Sequence, residues 1–119
     1  LNYTFPKEEK LKSRKLINRL FAEGKHLKSF PLQMAYLPIE HTTDSLIQAG
    51  FSVSKRKFKH AVDRNKIKRL MRESYRLNKN ILLEKHTKKH ILMFIYTTNT
   101  IQSYQEIEKA MLHIFKHLK

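Results

Sequence analysis

The chain has 119 residues, no cysteine and no tryptophan, and its 25 Lys and Arg against 10 Asp and Glu set a formal charge of +15. That length predicts a single domain, 1–119, with one core. The missing cysteine excludes a disulfide scaffold, an iron–sulfur site and a thiolate zinc site, and it fits a reducing compartment. An apolar fraction of 40% is too high for a disordered basic tail. The longest apolar runs, such as 91–96, fall far short of the roughly 20 residues that a membrane span needs. The start, Leu1-Asn2-Tyr3-Thr4, lacks the layout of a signal peptide, and the absent initiator Met suggests a trimmed chain. A compact domain this basic attracts polyanions, nucleic acid first and an anionic membrane surface second.

Residues 1–12 mix Tyr3 and Phe5 with Pro6 and a charged run, and read as an extended, mobile arm. Ser13 suits the cap of a helix whose apolar face is Leu16, Ile17, Leu20 and Phe21, with Gly24 as a left-handed stop. A short strand over 25–30 is weakly signalled. Residues 32–39 and 46–54 alternate as strands, and the polar turn at 41–45 predicts that they pair as a hairpin. A long helix follows over 62–80, with Asp63 at its N-terminus. Residues 90–97 form an apolar run of strand length, the mark of a buried strand. Ser103 and Glu106 make a capping box before a last helix, whose apolar face is Ile107, Met111, Ile114 and Leu118 flanked by Ala110 and Phe115. The order predicts a small α+β sandwich with helices packed on a sheet.

The informative stretch is the helix over 62–80. At about 100° per residue, Leu70, Met71, Ser74 and Leu77 fall within about 80° of Ile67, while Asn65, Lys68, Arg69, Arg72, Arg76 and Lys79 share a sector of roughly 100° on the other side. Arg64 and Lys66 lie on the shoulders. The apolar stripe fixes the helix to the sheet. The other side becomes an array of cations about 5–6 Å apart, on the scale of successive phosphates. Glu73 is the only acid in it after Asp63, too few to neutralise the array through i,i+4 pairs. Guanidinium forks also grip phosphates bidentately. A membrane-surface helix would bury its apolar face in lipid, whereas here the core needs that face.

The run Arg64-Asn65-Lys66-Ile67-Lys68-Arg69, followed by Arg72, resembles the "RNR" motif of the protein subunit of bacterial ribonuclease P. Gly50-Phe51-Ser52-Val53-Ser54-Lys55-Arg56 is similar to the strand that leads into that motif. Leu20-Phe21-Ala22-Glu23-Gly24 extends the likeness to the first helix. At Lys66 the second arginine of the motif is replaced, which keeps the charge and loses the bidentate geometry. The resemblance implies a two-layer αβββαβα sandwich with a left-handed βαβ crossover, where generic topology would give a right-handed one. It implies a non-catalytic accessory subunit, with no catalytic residue of its own, assisting a catalytic RNA that removes the 5′ leader of precursor tRNA in the cytoplasm. Carried over by position, Arg64, Asn65, Lys66, Lys68, Arg69 and Arg72 would contact the catalytic RNA, with Lys55 and Arg56 extending the patch and Arg76 continuing the array. Ile17, Phe21 and Tyr36 would line a leader cleft between the sheet and the first helix. On residue type alone, Phe21 and Tyr36 serve equally as core residues.

Other chemistry finds little support. His86 and His90 are four apart, as are His113 and His117, but neither pair has an acid between its members. No protein-bound metal is expected, and Mg²⁺ would be held by RNA phosphates. The carboxylates form no acid–base pair: Glu8 and Glu9 diverge, and Asp44 and Asp63 have no obvious partner. No Gly-rich phosphate loop or serine elbow is present. The expected partners are the catalytic RNA and precursor tRNA, with no membrane and no small-molecule substrate. The competing readings are a general RNA-binding or ribosome-associated protein and a stand-alone nuclease.

Overall fold

The computed structural model describes residues 3–39, 46–85 and 88–118. A 3-10 turn (Lys7–Glu9) precedes α1 (Arg14–Glu23), β1 (Lys25–Ser29), β2 (Leu32–Pro38), β3 (Ile47–Ser52), α2 (Ala61–Lys85), β4 (His90–Tyr96) and α3 (Tyr104–His117). The order is the expected αβββαβα. Both expected caps form: Ser13 Oγ accepts the Leu16 N–H at 3.3 Å, and Ser103 Oγ accepts the Glu106 N–H at 3.2 Å. Gly24 ends α1 in extended backbone, φ −71°, rather than the left-handed form expected of it. A close approach requires the glycine instead. A Cβ there would lie 2.9 Å from Leu20 Cδ1 and 3.0 Å from the Tyr36 carbonyl oxygen.

The four strands are ordered β1-β2-β4-β3. The weakly signalled strand is real, and β1 forms a hairpin with β2. The hairpin expected between 32–39 and 46–54 is not formed. β4 lies between them, antiparallel to β2 from Leu32↔Tyr96 to Pro38↔His90 and parallel to β3 from Ile47↔His90 to Ser52↔Ile95. The reason lies in β4 itself: six of its seven residues are buried, so it needs a neighbour on each edge and a layer on each face. Parallel β3 and β4 also need a long crossover, which α2 supplies. The turn expected at 41–45 lies outside the described residues.

Each sheet face buries its own cluster. On one face Leu32, Met34, Ala49, Leu92, Phe94 and Tyr96 pack beneath α2 and α3, which contribute Ile67, Met71, Tyr75, Ile107, Met111, Ile114 and Phe115. Phe51 and Phe94 stack at 5.6 Å between centroids, and Tyr75 closes on both. On the other face Ala35, Ile91 and Met93 lie beneath Leu11 and α1 residues Leu16, Ile17 and Leu20. The segment before α1, expected as an arm, is docked. The Leu11 N–H donates to the Ala49 carbonyl at 3.0 Å, and Phe5 sits edge-on to Phe51 and Tyr75. Lys79 anchors this segment, its ammonium donating to Glu9 Oε1 at 2.5 Å and to the Thr4 carbonyl.

Candidate nucleic-acid interface

The longest helix turns toward the core at Ile67, Met71, Ser74, Tyr75, Lys79 and Leu82. Two expectations change with it. Leu77, assigned to the apolar stripe, is 41% exposed, and Tyr75 takes its place in the core. Lys79, assigned to the cationic array, is 1% exposed and spent on the N-terminal segment. Arg76 is also spent on protein: its guanidinium donates to Glu73 at 2.9 and 3.1 Å and to the Tyr3 carbonyl at 2.8 Å. What remains is a ridge. Asn65, Lys66, Arg69 and Arg72 are exposed and Lys68 is half-buried at its margin. Among the described residues no carboxylate pairs with Lys66, Lys68, Arg69 or Arg72. Cations without acidic neighbours are available to phosphates, and each phosphate they neutralise releases counterions condensed on the nucleic acid.

Lys55 and Arg56 stand exposed on the turn between β3 and α2. That loop is braced from three points. The Arg56 N–H donates to Ser54 Oγ at 3.1 Å, and Lys57 Nζ donates to the Thr97 carbonyl at 2.6 Å. Arg64 Nη1 donates to the Phe58 and Lys59 carbonyls at 2.8 and 2.9 Å. The first cation of the motif therefore shapes the loop that presents Lys55 and Arg56.

The three residues expected to line one cleft do not share a face. Ile17 packs in the α1 cluster, and Phe21, 48% exposed, stands on the same helix. Tyr36 packs in the cluster beneath α2 and α3, on the opposite side of the sheet. Alternation along β2 explains the split, because Tyr36 shares its face with Leu32 and Met34. The face that α1 partly covers carries instead a cross-strand row of Lys28, Gln33, Ile95 and Ser52, register partners from β1 to β3. Gln33, Ile95 and Ser52 are half-buried, Lys28 is exposed, and Gln33 Nε2 donates to His26 Nδ1 at 2.9 Å. This shelf, with Ile17 and Phe21 at its side, is an open surface on the α1 face. Its signal in the sequence was the same period-two alternation, counted from Ala35 and Met93.

Metal-ligand geometry is sparse. His86 lies outside the described residues. The His113 and His117 rings are 4.4 Å apart, and among the described residues no group of three His, Asp or Glu gathers. No described helix is long and apolar enough to cross a membrane.

A braced sandwich bearing an unneutralised cationic helix defines a class, the nucleic-acid-binding α+β domain. The comparisons with known proteins narrow it. Residues 5–119 match the family described as Ribonuclease P. The ribonuclease P protein component of Porphyromonas gingivalis is 37% identical over 109 residues, covering 88% of this chain and 79% of its own. That of Chlorobaculum tepidum is 34% identical over 125 residues, covering 95% and 81%. The chain also superposes on the ribonuclease P protein of Thermotoga maritima with a TM-score of 0.75 at 22% identity, covering 93% of this chain and 98% of that one. For a Staphylococcus aureus ribonuclease P protein the TM-score is 0.70 at 23% identity, covering 91% and 93%. The chain belongs to the ribonuclease P protein family. It is a protein subunit of that ribonucleoprotein, with the ribonuclease P RNA as its partner and a role in tRNA 5′ processing.

Proposed function

We propose that this chain is a non-catalytic accessory subunit that binds both the catalytic RNA and the 5′ leader of precursor tRNA. The ridge of Asn65, Lys66, Lys68, Arg69 and Arg72, continued by Lys55 and Arg56, grips phosphates of the catalytic RNA. Arg64 and Arg76 serve that grip from within, one through the loop and one through the N-terminal segment. The leader lies on the shelf between α1 and the row from Lys28 to Ser52. Phe21 offers a ring to a base there, and Ile95 an apolar floor. The work is electrostatic: the subunit lowers the cost of bringing one polyanion against another. Mg²⁺ enters through RNA phosphates, and the chemistry belongs to the RNA. The site of action is the cytoplasm, in keeping with a chain that uses no cysteine.

The observation that carries this reading is the exposed Arg69 and Arg72 pair without a carboxylate partner among the described residues. The test is leader cleavage at low Mg²⁺ with catalytic RNA alone, protein alone and both together. Enhancement only when both are present is expected. Cleavage by the protein alone would make it a nuclease. RNA binding without any change in cleavage would make it a general RNA-binding protein.

A further inference from the structure

Phe30 is the most exposed aromatic ring among the described residues, 67% accessible at the tip of the β1–β2 turn. Its turn is not loose. Thr97 donates both its N–H and its Oγ1 hydroxyl to the Pro31 carbonyl, each at 2.9 Å. Lys57 Nζ in turn donates to the Thr97 carbonyl at 2.6 Å. Three segments at this end of the sheet are thus tied behind the ring. The backbone that carries the ring is held in place, and an exposed hydrophobic ring there is poor for solubility and well suited to a planar partner.

A recess of about 250 Å³ opens beside the ring, lined by Ser29, Phe30, Glu106, Lys109, Ala110 and His113. It lies between α3 and β1, at the free edge of the sheet. Its lining has one aromatic face, one ammonium group, one imidazole and one carboxylate. An aromatic face stacks a base, an ammonium holds a phosphate, and a carboxylate accepts from the amino group of a base. Two residues before Phe30, Lys28 belongs to the leader shelf on the other face of β1. The turn is therefore where a strand leaving the shelf would round the sheet edge, past a further ammonium.

We propose that Phe30 and this recess form a nucleobase-binding subsite for single-stranded RNA, continuous with the shelf through Lys28. The base stacks on Phe30, Lys109 takes a flanking phosphate, and Glu106 accepts a hydrogen bond from an exocyclic amino or ring N–H. The inference rests on the accessory-subunit reading and adds to it a site outside both the helix ridge and the α1 cleft.

The chain has no tryptophan, so Phe30→Trp supplies a single indole reporter at this turn. The full-length variant, free of catalytic RNA, is titrated with a mixed-sequence single-stranded RNA of about 12 nucleotides, within the span that such surfaces bind. Anisotropy of the same RNA carrying a dye reports binding independently. Indole quenching with the midpoint of the anisotropy curve is expected, and Phe30→Ala should weaken binding about fivefold or more, as loss of one stacked base implies. Binding without quenching would overturn the subsite and leave the accessory role standing. Absence of RNA binding would overturn the subsite together with leader binding by the shelf. Quenching that follows protein concentration without RNA would make Phe30 a self-association contact and overturn the subsite.

Discussion

At the scale of single residues, the groups that least resemble a core decide how the surface is arranged. Lys79 is a cation at full burial, held by Glu9 and the Thr4 carbonyl. Removing one partner of a buried pair strands the other charge, which typically costs about 3–5 kcal/mol. Lys79→Met should therefore lower the urea midpoint strongly and expose residues 3–10 to proteolysis. Pairing it with Glu9→Leu should restore part of the stability. Tyr104 makes a second residue-scale case. Burial, and then its hydrogen bond to Glu108, push its hydroxyl up to about 12. Burial raises Tyr75 further above its ordinary value. In both, the folded state keeps a proton that the unfolded chain releases near pH 10. Stability is therefore fully present below about pH 10 and falls as the pH climbs toward 12. Alkaline unfolding followed by circular dichroism should begin at higher pH in Tyr104→Phe.

At the scale of elements, α2 and the loop before it work as one device. Arg64 faces back on the chain and fixes two carbonyls of the loop that carries Lys55 and Arg56. Arg64→Ala should cost about 1–3 kcal/mol, the worth of hydrogen bonds from a charged donor. It should also speed amide exchange over 54–60 while α2 stays protected. This helix is legible in the sequence because its period is local: Ile67, Met71 and Ser74 repeat at helical spacing whatever they pack on. The caps at Ser13 and Ser103 were legible for the same reason. The exchange of Tyr75 for Leu77 in the core, and the capture of Lys79, were not. Tyr75 and Leu77 lie about 80° to either side of Ile67, and packing on Phe51, Phe94 and Phe115 selects Tyr75. Lys79 is captured by the N-terminal segment, whose Glu9 comes from about seventy residues away in the chain. Strand order escaped for a kindred reason. Alternation marks residues 32–39 and 46–54 as strands without naming their neighbours, and the doubly buried β4 displaced the nearer pairing. The separation of Tyr36 from Ile17 follows from a face assignment that alternation supports only once the register is known.

At the scale of the whole molecule, charge and shape are divided between two layers. One sheet face is sealed by α2 and α3, and the outer side of α2 carries the ridge. The other is covered partly by α1, leaving the row from Lys28 to Ser52 as a shelf. A net charge of +15 would disfavour the compact state by self-repulsion. RNA relieves that repulsion, so ribonuclease P RNA should raise the apparent melting temperature, and do so less as salt increases. On the proposed function, α2 meets RNA through phosphate contacts at Arg69 and Arg72. The salt dependence of catalytic RNA affinity, measured by filter binding for the native chain and for Arg69→Ala/Arg72→Ala, tests this most directly. If each guanidinium neutralises one phosphate, the double variant flattens the log–log slope by up to about two units. An identical slope in the two proteins would contradict the claim.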